Sequence, residues 1–360
     1  ATSLVDLGNA DFPLSPTVSK LRYFLVGMGF ILLCLMNYLD NRKGNISWGF
    51  NNQASPLLWI WLLFCFALVI SSTIHQELIS IRDSYWLLLG VPFIFFRVLP
   101  KLMADQANQI VSLSLVLGHL PYLLTSWWRF PPYSYVEEVS FYRGVYANSN
   151  QMGFSCVVIS VGLFILMVGS ILTKKPSYYT LVIAALLLVN LVTICYAYAR
   201  TSLITFLLLS GICLFFVSKK RPKSFKKVAF VIAFLFSLLL YQIDQFIHFL
   251  FCDLELNFAE ITGKKSASLS GRDAIWLKTW QDWNFFGHGI GYHEDRFGLG
   301  AHNTIVTILG NNGLIAAYVS LFFVVASFFF TYKYFKSNFI SNYYAIGPWL
   351  ITVCFWTLSI

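Results

Sequence analysis

Charged side chains are scarce in this chain. Asp, Glu, Lys and Arg make up 11% of its 360 residues, whereas soluble globular domains carry about 25%. The hydrophobic share is 58% and the mean hydropathy is +0.68, which is more apolar sequence than a water-soluble core can bury. These values exclude a soluble globular class and predict an all-α polytopic membrane protein.

Common cofactor and hydrolase motifs are also absent. The chain has no P-loop, no GxGxxG, no GxSxG, no HExxH and no acidic pair placed to hold the metal of a nucleotide sugar. Six of its seven cysteines lie in apolar runs, and Cys252 has neither a CxxC partner nor a zinc-binding spacing. His288 and His293 lack a third ligand at a metal-binding spacing. We therefore expect no metal ion and no cofactor.

Ten apolar runs fit the roughly 20 residues that a helix needs to cross a bilayer. We predict a single integral membrane domain over residues 1–360, with the polar stretch 248–302 as a loop between late spans. The ten runs cover residues 22–39, 57–74, 84–99, 107–124, 151–172, 178–198, 202–217, 228–247, 303–331 and 343–360.

Basic residues predict which side each loop faces. Residues 218–227, SKKRPKSFKK, contain six basic side chains and no acid, and two further lysine pairs fall on the same side: Lys174 with Lys175, and Lys333 with Lys336. This side is predicted to be cytoplasmic, because membrane proteins concentrate Lys and Arg there. The predicted outward loops are 125–150, 199–201 and 248–302. The net charge of +9 thus orients the protein, and we expect no nucleic-acid partner.

The polar stretch Ser270–Gly313 begins with a helix signal. Ser270 followed by Asp273 resembles a capping box, and tryptophans then recur at spacings of four and three residues, at Trp276, Trp280 and Trp283. Since tryptophan favours the membrane–water interface, we expect a short interfacial helix whose N-terminus, with Arg272, favours an anion. The alternative is a packing helix with a solvated arginine.

Two other outward segments carry candidate residues. Arg200 lies between two spans with almost no loop, and an arginine so close to hydrocarbon either is functional or snorkels to lipid phosphates. Arg143 is followed by Asn148 and Asn150 just ahead of a span. These asparagines bind sugar hydroxyls or cap the helix.

His302 stands at the start of the last long polar-to-apolar transition. A neutral imidazole can accept a hydroxyl proton, so we predict a general base. The run 303–331 would be about 43 Å long as one helix, at roughly 1.5 Å per residue, against a hydrocarbon core of about 30 Å. We therefore expect a break at Gly310–Gly313 that leaves residues 303–309 as a separate turn and sets His302 at the outer mouth.

Three separated places in the chain resemble the O-antigen ligase / O-antigen polymerase superfamily of bacterial inner-membrane glycosyltransferases. Residues 143–150, RGVYANSN, resemble its G-x-x-x-N-x-N step, and residues 199–202, ARTS, resemble its S-R-T/G turn with Ala in place of Ser. The third place is similar to the family order S-G-R…W…P-x-G-x-G…H-N…G, with Phe286 in place of Pro. It comprises residues 270–276, 286–291, 302–303 and 310–313.

The resemblance implies a metal-independent inverting glycosyltransferase at the periplasmic face of the inner membrane. It would move glycan from undecaprenyl diphosphate to lipid A-core or to a growing surface polysaccharide. Arg200 and Arg272 would stabilise the leaving diphosphate, and His302 would take the acceptor proton. Substrate contacts are expected at Arg143, Asn148, Asn150, Asn303 and Trp276. A transporter or flippase for a small solute or lipid-linked glycan is the alternative, because a broken helix and membrane-edge arginines also suit that class.

Overall fold

The computed structural model describes residues 55–77, 104–131, 142–146, 148–173, 177–220, 272–298, 300–301, 303–339 and 342–359, with single residues in the runs between them. They form the helices α1 (Ser55–Ile74), α2 (Ala104–Arg129), α3 (Ser149–Leu172), α4 (Ser177–Tyr196), α5 (Arg200–Lys220), α6 (Arg272–Gln281), α7 (Tyr292–Phe297), α8 (Thr304–Asn338) and α9 (Gly347–Ser359). No strand occurs among the described residues, and the predicted all-α class is confirmed.

Six of these helices, α1 to α5 and α8, are long and apolar enough to cross a membrane. They coincide with six of the predicted runs, and the run 343–360 contains the shorter helix α9. The runs 22–39, 84–99 and 228–247 lie largely outside the described residues, as does 248–271 of the predicted outward loop. The total of ten spans and the outward loop therefore stay predictions.

The connection between α4 and α5 is as short as the sequence suggested. α4 ends at Tyr196 and α5 begins at Arg200. Tyr198 reverses the chain with a φ of 49°, a left-handed conformation that few non-glycine residues adopt. The amide of Leu203 then donates to Ala199 O (3.0 Å). Arg200 is consequently held in the first turn of α5.

The chain divides into two compact units: unit 1 comprises residues 1–44, 102–242 and 331–358, and unit 2 comprises residues 45–101, 243–330 and 359–360. In unit 1, α3 is buried along most of its length. Neighbouring segments approach it where it carries glycines, since a Cβ on Gly153 would lie 2.3 Å from Ala199 Cβ and one on Gly162 would lie 2.5 Å from Ser112 O. Such small-residue contacts are typical of membrane helix packing.

In unit 1, Arg200 and Lys220 lie at opposite ends of α5. Lys220 Nζ, at the C-terminus of α5, donates to Asn342 O (3.3 Å), just beyond the C-terminus of α8. Arg200 lies at the other end of α5, where the amide of Tyr142 donates to Tyr196 O (3.2 Å) and so brings the segment of Arg143 beside it. This separation agrees with the predicted orientation of the spans.

Candidate functional site

Helix α8 is broken at Gly313, which has a φ of 88° and a ψ of −179°. The predicted break within Gly310–Gly313 is confirmed. The part of α8 before the break, residues 304–312, is regular helix and longer than the expected turn.

A loop of unit 2 fills this break with its own backbone. In an unbroken helix the amides of Leu314 and Ile315 would donate to the carbonyls four residues earlier, and the break separates both pairs. Residues 284–289 supply a new partner to each of the four groups. The bonds run from Leu314 N to Asn284 O (2.8 Å), from Ile315 N to Phe285 O (3.5 Å), from His288 N to Gly310 O (2.9 Å) and from Gly289 N to Asn311 O (3.0 Å).

Two glycines permit this close backbone approach. A Cβ on Gly287 would lie 2.2 Å from Asn311 O, and one on Gly313 would lie 2.3 Å from Gly287 N. Both glycines also have positive φ angles, 77° and 88°, which side chains other than glycine adopt at a cost. The glycines that carried the sequence resemblance therefore have a structural role at the break.

The C-terminus of α1 holds the same loop from another side. Ser71 Oγ donates to Phe286 O (2.8 Å). His75 Nε2 lies 3.1 Å from Gly287 O and must be the donor, because a carbonyl only accepts. The Glu77 carboxylate accepts from the amide of Ile290. Helix α1 was predicted only as a span, and nothing in its sequence indicated this second role.

The predicted short helix after Ser270 is confirmed as α6 (Arg272–Gln281). Ile275 and Thr279 are its buried face, while Trp280 is 56% exposed. Trp283 lies beyond its end, so the three tryptophans do not share one helical face. Ser270 and the side chain of Arg272 lie outside the described part of the chain.

Trp276 connects α6 to the segment that precedes α8. Its Nε1 donates to Ala301 O (2.7 Å), and Ala301 is buried. On the other side of His302, Asn303 Oδ1 accepts from Val306 N (3.1 Å) and so caps α8. His302 itself lies outside the described residues, but the positions flanking it are both fixed by hydrogen bonds.

His293, which sequence reasoning considered only as a weak metal ligand, is a buried connector between three helices. Thr279 Oγ1 donates to Ile275 O (2.8 Å). His293 Nε2 lies 3.1 Å from Thr279 Oγ1. Since the hydroxyl hydrogen is already used, His293 Nε2 is the donor. A Cβ on Gly310 would lie 2.3 Å from His293 Cε1. Burial lowers the pKa of His293, and the nearby charge of Glu294 opposes that shift.

A polar cluster, formed by Asp282, His288, Tyr292 and Arg296, lies beside this connector. Asp282 Oδ2 accepts from Tyr292 Oη (2.8 Å) and pairs with Arg296 Nη1 (2.6 Å). The Tyr292 hydrogen bond, assisted by Arg296, lowers the pKa of Asp282. Burial, reinforced by Asp282, raises the pKa of Tyr292 to about 12. The His288 ring stacks on Tyr292 at 4.4 Å. Within the cluster, Asp282 and Arg296 therefore form a structural ion pair near neutral pH.

In unit 1 the predicted residues Arg143 and Arg200 lie on adjacent segments. The amide of Val145 donates to Ser126 Oγ (3.1 Å), and a Cβ on Gly144 would lie 2.4 Å from that same oxygen. With the bond between Tyr142 and Tyr196 given above, these contacts fix residues 142–146. Both arginines are half-buried.

Asn148 caps α3, because its Oδ1 accepts from Gln151 N (2.9 Å). The capping alternative is thus confirmed for Asn148, which is exposed together with Asn150. Sequence reasoning missed a buried network just below them: Ser155 Oγ lies 2.7 Å from Tyr146 Oη and 2.8 Å from His119 Nδ1. Isolated polar residues within apolar runs were the only available signal.

The candidate residues fall into two sets. Unit 1 contains Arg143, Asn148, Asn150 and Arg200, and unit 2 contains Arg272, Trp276, His302 and Asn303. The sequence resemblance assigns Arg200 and Arg272 to the same diphosphate, so it predicts that the two sets meet, and this stays a prediction.

Comparison with known families agrees with the motifs. Residues 183–321 match the family model described as O-antigen ligase, a stretch that runs from α4 through the break in α8. No curated protein matches the chain. Residues 183–321 therefore match the O-antigen ligase family, and the resemblance to the O-antigen ligase and polymerase superfamily is confirmed over this stretch.

Proposed function

We propose that the protein is a metal-independent inverting glycosyltransferase that moves glycan from undecaprenyl diphosphate to an acceptor hydroxyl at the periplasmic face of the inner membrane. The acceptor is lipid A-core or a growing surface polysaccharide. The observation that carries this proposal is the O-antigen ligase match over residues 183–321, which contains both Arg200 and Arg272.

In the proposed step, the acceptor oxygen attacks the anomeric carbon from the face opposite the diphosphate. The new C–O bond forms as the bond between the anomeric carbon and the diphosphate oxygen breaks, which inverts the configuration. His302 takes the proton of the acceptor hydroxyl. Undecaprenyl diphosphate leaves, and the guanidinium groups of Arg200 and Arg272 stabilise its charge.

The described contacts support distinct tasks for the remaining residues. Trp276, through Ala301 O at 2.7 Å, positions the backbone next to His302, and Asn303 caps the helix that follows. We assign both to positioning, with the Asn303 amide nitrogen left for substrate. Arg143 and Asn150, at the end of unit 1 that carries Arg200, are proposed to bind the glycan or diphosphate.

The test uses purified protein, lipid-linked oligosaccharide and candidate acceptors. Arg272→Ala should reduce transfer by about 10²–10³-fold, as loss of one charge-stabilising donor does. Lys278→Ala, an exposed cation on the same helix, is the matched control and should retain wild-type transfer. Undiminished transfer by His302→Ala would exclude the general-base role.

The broken helix α8 favours a second candidate, a transporter or flippase, because discontinuous helices form transporter sites with free backbone carbonyls. In this protein the carbonyls of Gly310 and Asn311 are already bonded to His288 N and Gly289 N. The break therefore offers no free carbonyl at these two positions. Solute uptake by vesicles, with no glycan transfer to any acceptor, would favour the transporter.

A further inference from the structure

An apolar groove runs along unit 1 between α5, the last turns of α8 and the start of α9. Its volume is about 510 Å³. Aromatic rings form much of its wall. The ring centroid of Phe335 lies 5.8 Å from that of Phe216 and 6.4 Å from that of Trp349, on which it stacks. With this lining the groove suits hydrocarbon and offers little to a sugar or a peptide, which need polar partners.

The groove exists partly because residue 211 is a glycine. A Cβ built on Gly211 would have nothing within 4 Å, although the residue lies in the middle of α5. A larger side chain at this position would project into open space among the described residues. The groove can thus be filled by one substitution without a clash.

Two lysines lie where the groove approaches the C-terminus of α5. Lys219 is exposed, and its Nζ lies 5.9 Å from the ring of Phe215, which lines the groove. Lys220 lies with its Nζ 5.2 Å from the ring of Tyr343 and donates to Asn342 O (3.3 Å). Lys220 therefore braces the helix ends, while Lys219 presents its charge to the surroundings.

We propose that this groove binds one acyl chain of an anionic phospholipid whose headgroup pairs with Lys219. The apolar wall accounts for the chain, and the cation at its end accounts for the sign of the headgroup. A lysine at a membrane surface favours an anionic lipid by about fivefold, and its flexible stem reaches the headgroup level. None of the residues that line the groove is a proposed glycan-transfer residue, and the lipid site does not depend on the proposed function.

Native mass spectrometry of the purified protein tests the proposal, with phosphatidylglycerol and phosphatidylcholine of identical acyl chains. The wild type should retain phosphatidylglycerol preferentially. Lys219→Gln should lower that retention about fivefold and leave phosphatidylcholine unchanged. Gly211→Leu should lower retention of both lipids, because it fills the groove.

Two controls match these variants. Lys333→Gln removes an exposed lysine of α8 that does not line the groove, and Ile204→Phe adds bulk at an exposed position of α5 outside it. Both should bind lipid as the wild type does. Equal retention of the two lipids by the wild type would overturn the proposal. Unchanged retention by folded Gly211→Leu would also overturn it and would point to another segment of the chain, such as residues 228–247, as the occupant.

Discussion

The amide of His288 donates to the carbonyl of Gly310 at 2.9 Å, taking the place that Leu314 N would hold in a continuous helix. Leu314 donates to Asn284 instead, so helix α8 and the loop have exchanged partners. The break consequently leaves none of these backbone groups without a partner, which would be expensive in a buried site. It also sets the direction of residues 304–312.

Replacing Gly313 with Ala should destabilise the protein by about 2–6 kcal/mol, the sum of a positive-φ strain of about 1–3 kcal/mol and an overpacking cost of about 1–3 kcal/mol. A Cβ at this position would lie 2.3 Å from Gly287 N, and neither backbone can move without losing the exchanged hydrogen bonds. Thermal unfolding in detergent measures the effect.

Substitutions at two further glycines distinguish the cost of a positive φ from the cost of a steric clash. Gly298 has a φ of 69° with nothing within 4 Å of a built Cβ, and Gly211 has open space and an ordinary helical φ. Gly298→Ala should lose only about 1–2 kcal/mol, and Gly211→Ala should gain about 0.5–1 kcal/mol from helix propensity. Equal losses in Gly313→Ala and Gly298→Ala would show that close packing at the break is unimportant.

Substituting Trp276 with Phe should reduce kcat of glycan transfer by tenfold or more, with little change in KM, if residues 301–303 must be positioned for the proposed chemistry. An aromatic ring is retained, but it is smaller than the indole, and the donor to Ala301 O is lost, which alone costs about 1 kcal/mol of stability. Trp280→Phe, at a position that is 56% exposed, is the control. Similar kinetics for the two variants would contradict a positioning role for Trp276.

Replacing Arg200 with Ala should lower transfer by about 10²–10³-fold through loss of charge stabilisation. Arg129, an exposed arginine at the C-terminus of α2, gives the matched variant Arg129→Ala, for which we expect near wild-type rates. Steady-state kinetics with lipid-linked oligosaccharide distinguishes them. Parallel losses would indicate a general effect of positive charge.

Acidification should destabilise the protein through His293. Burial holds the folded-state pKa of His293 below its usual value, which is near 6.5, so the unfolded chain binds more protons as the pH falls. The stabilisation is thus complete above about pH 6.5 and is lost as the pH falls through the lowered folded pKa.

His293→Gln removes this titration and keeps a donor for Thr279. Unfolding temperatures measured from about pH 7.5 to about pH 5 should fall more steeply for the wild type than for the variant. Asp282, whose pKa is also lowered, titrates below this window, because its unfolded value is about 3.9. Equal slopes would assign the acid sensitivity to other groups.

The apolar runs predicted α1 to α5, α8 and α9 because hydropathy depends on local composition, whereas the short polar helix α7 was not predicted. The break in α8 was predictable as well. A helix of 29 residues is longer than the hydrocarbon core is thick, and the run contains two glycines, Gly310 and Gly313, where a helix can break. The insertion of residues 284–289 was not. It joins segments about 25 residues apart through backbone atoms, which leave no side-chain signature beyond the glycines.

Single polar residues were the hardest to interpret from sequence. Trp276 suggested an interfacial or substrate contact, and its bond to Ala301 depends on how α6 packs. His119 and Ser155 are 36 residues apart in two apolar runs, and only the packing of α2 against α3 pairs them. The spacing around His293 argued against a metal site but did not indicate that this residue connects helices.

The partner exchange at Gly313 also bears on how this loop can diverge among relatives. It uses the amides of residues 288 and 289 and the carbonyls of residues 284 and 285, and it requires nothing from the amide of Phe286. A proline in place of Phe286 would remove the bond from Phe286 N to Asn284 Oδ1 (2.9 Å) and would keep the carbonyl that Ser71 binds. The exposed side chains of this loop can therefore change while its glycines preserve the four backbone hydrogen bonds between loop and helix.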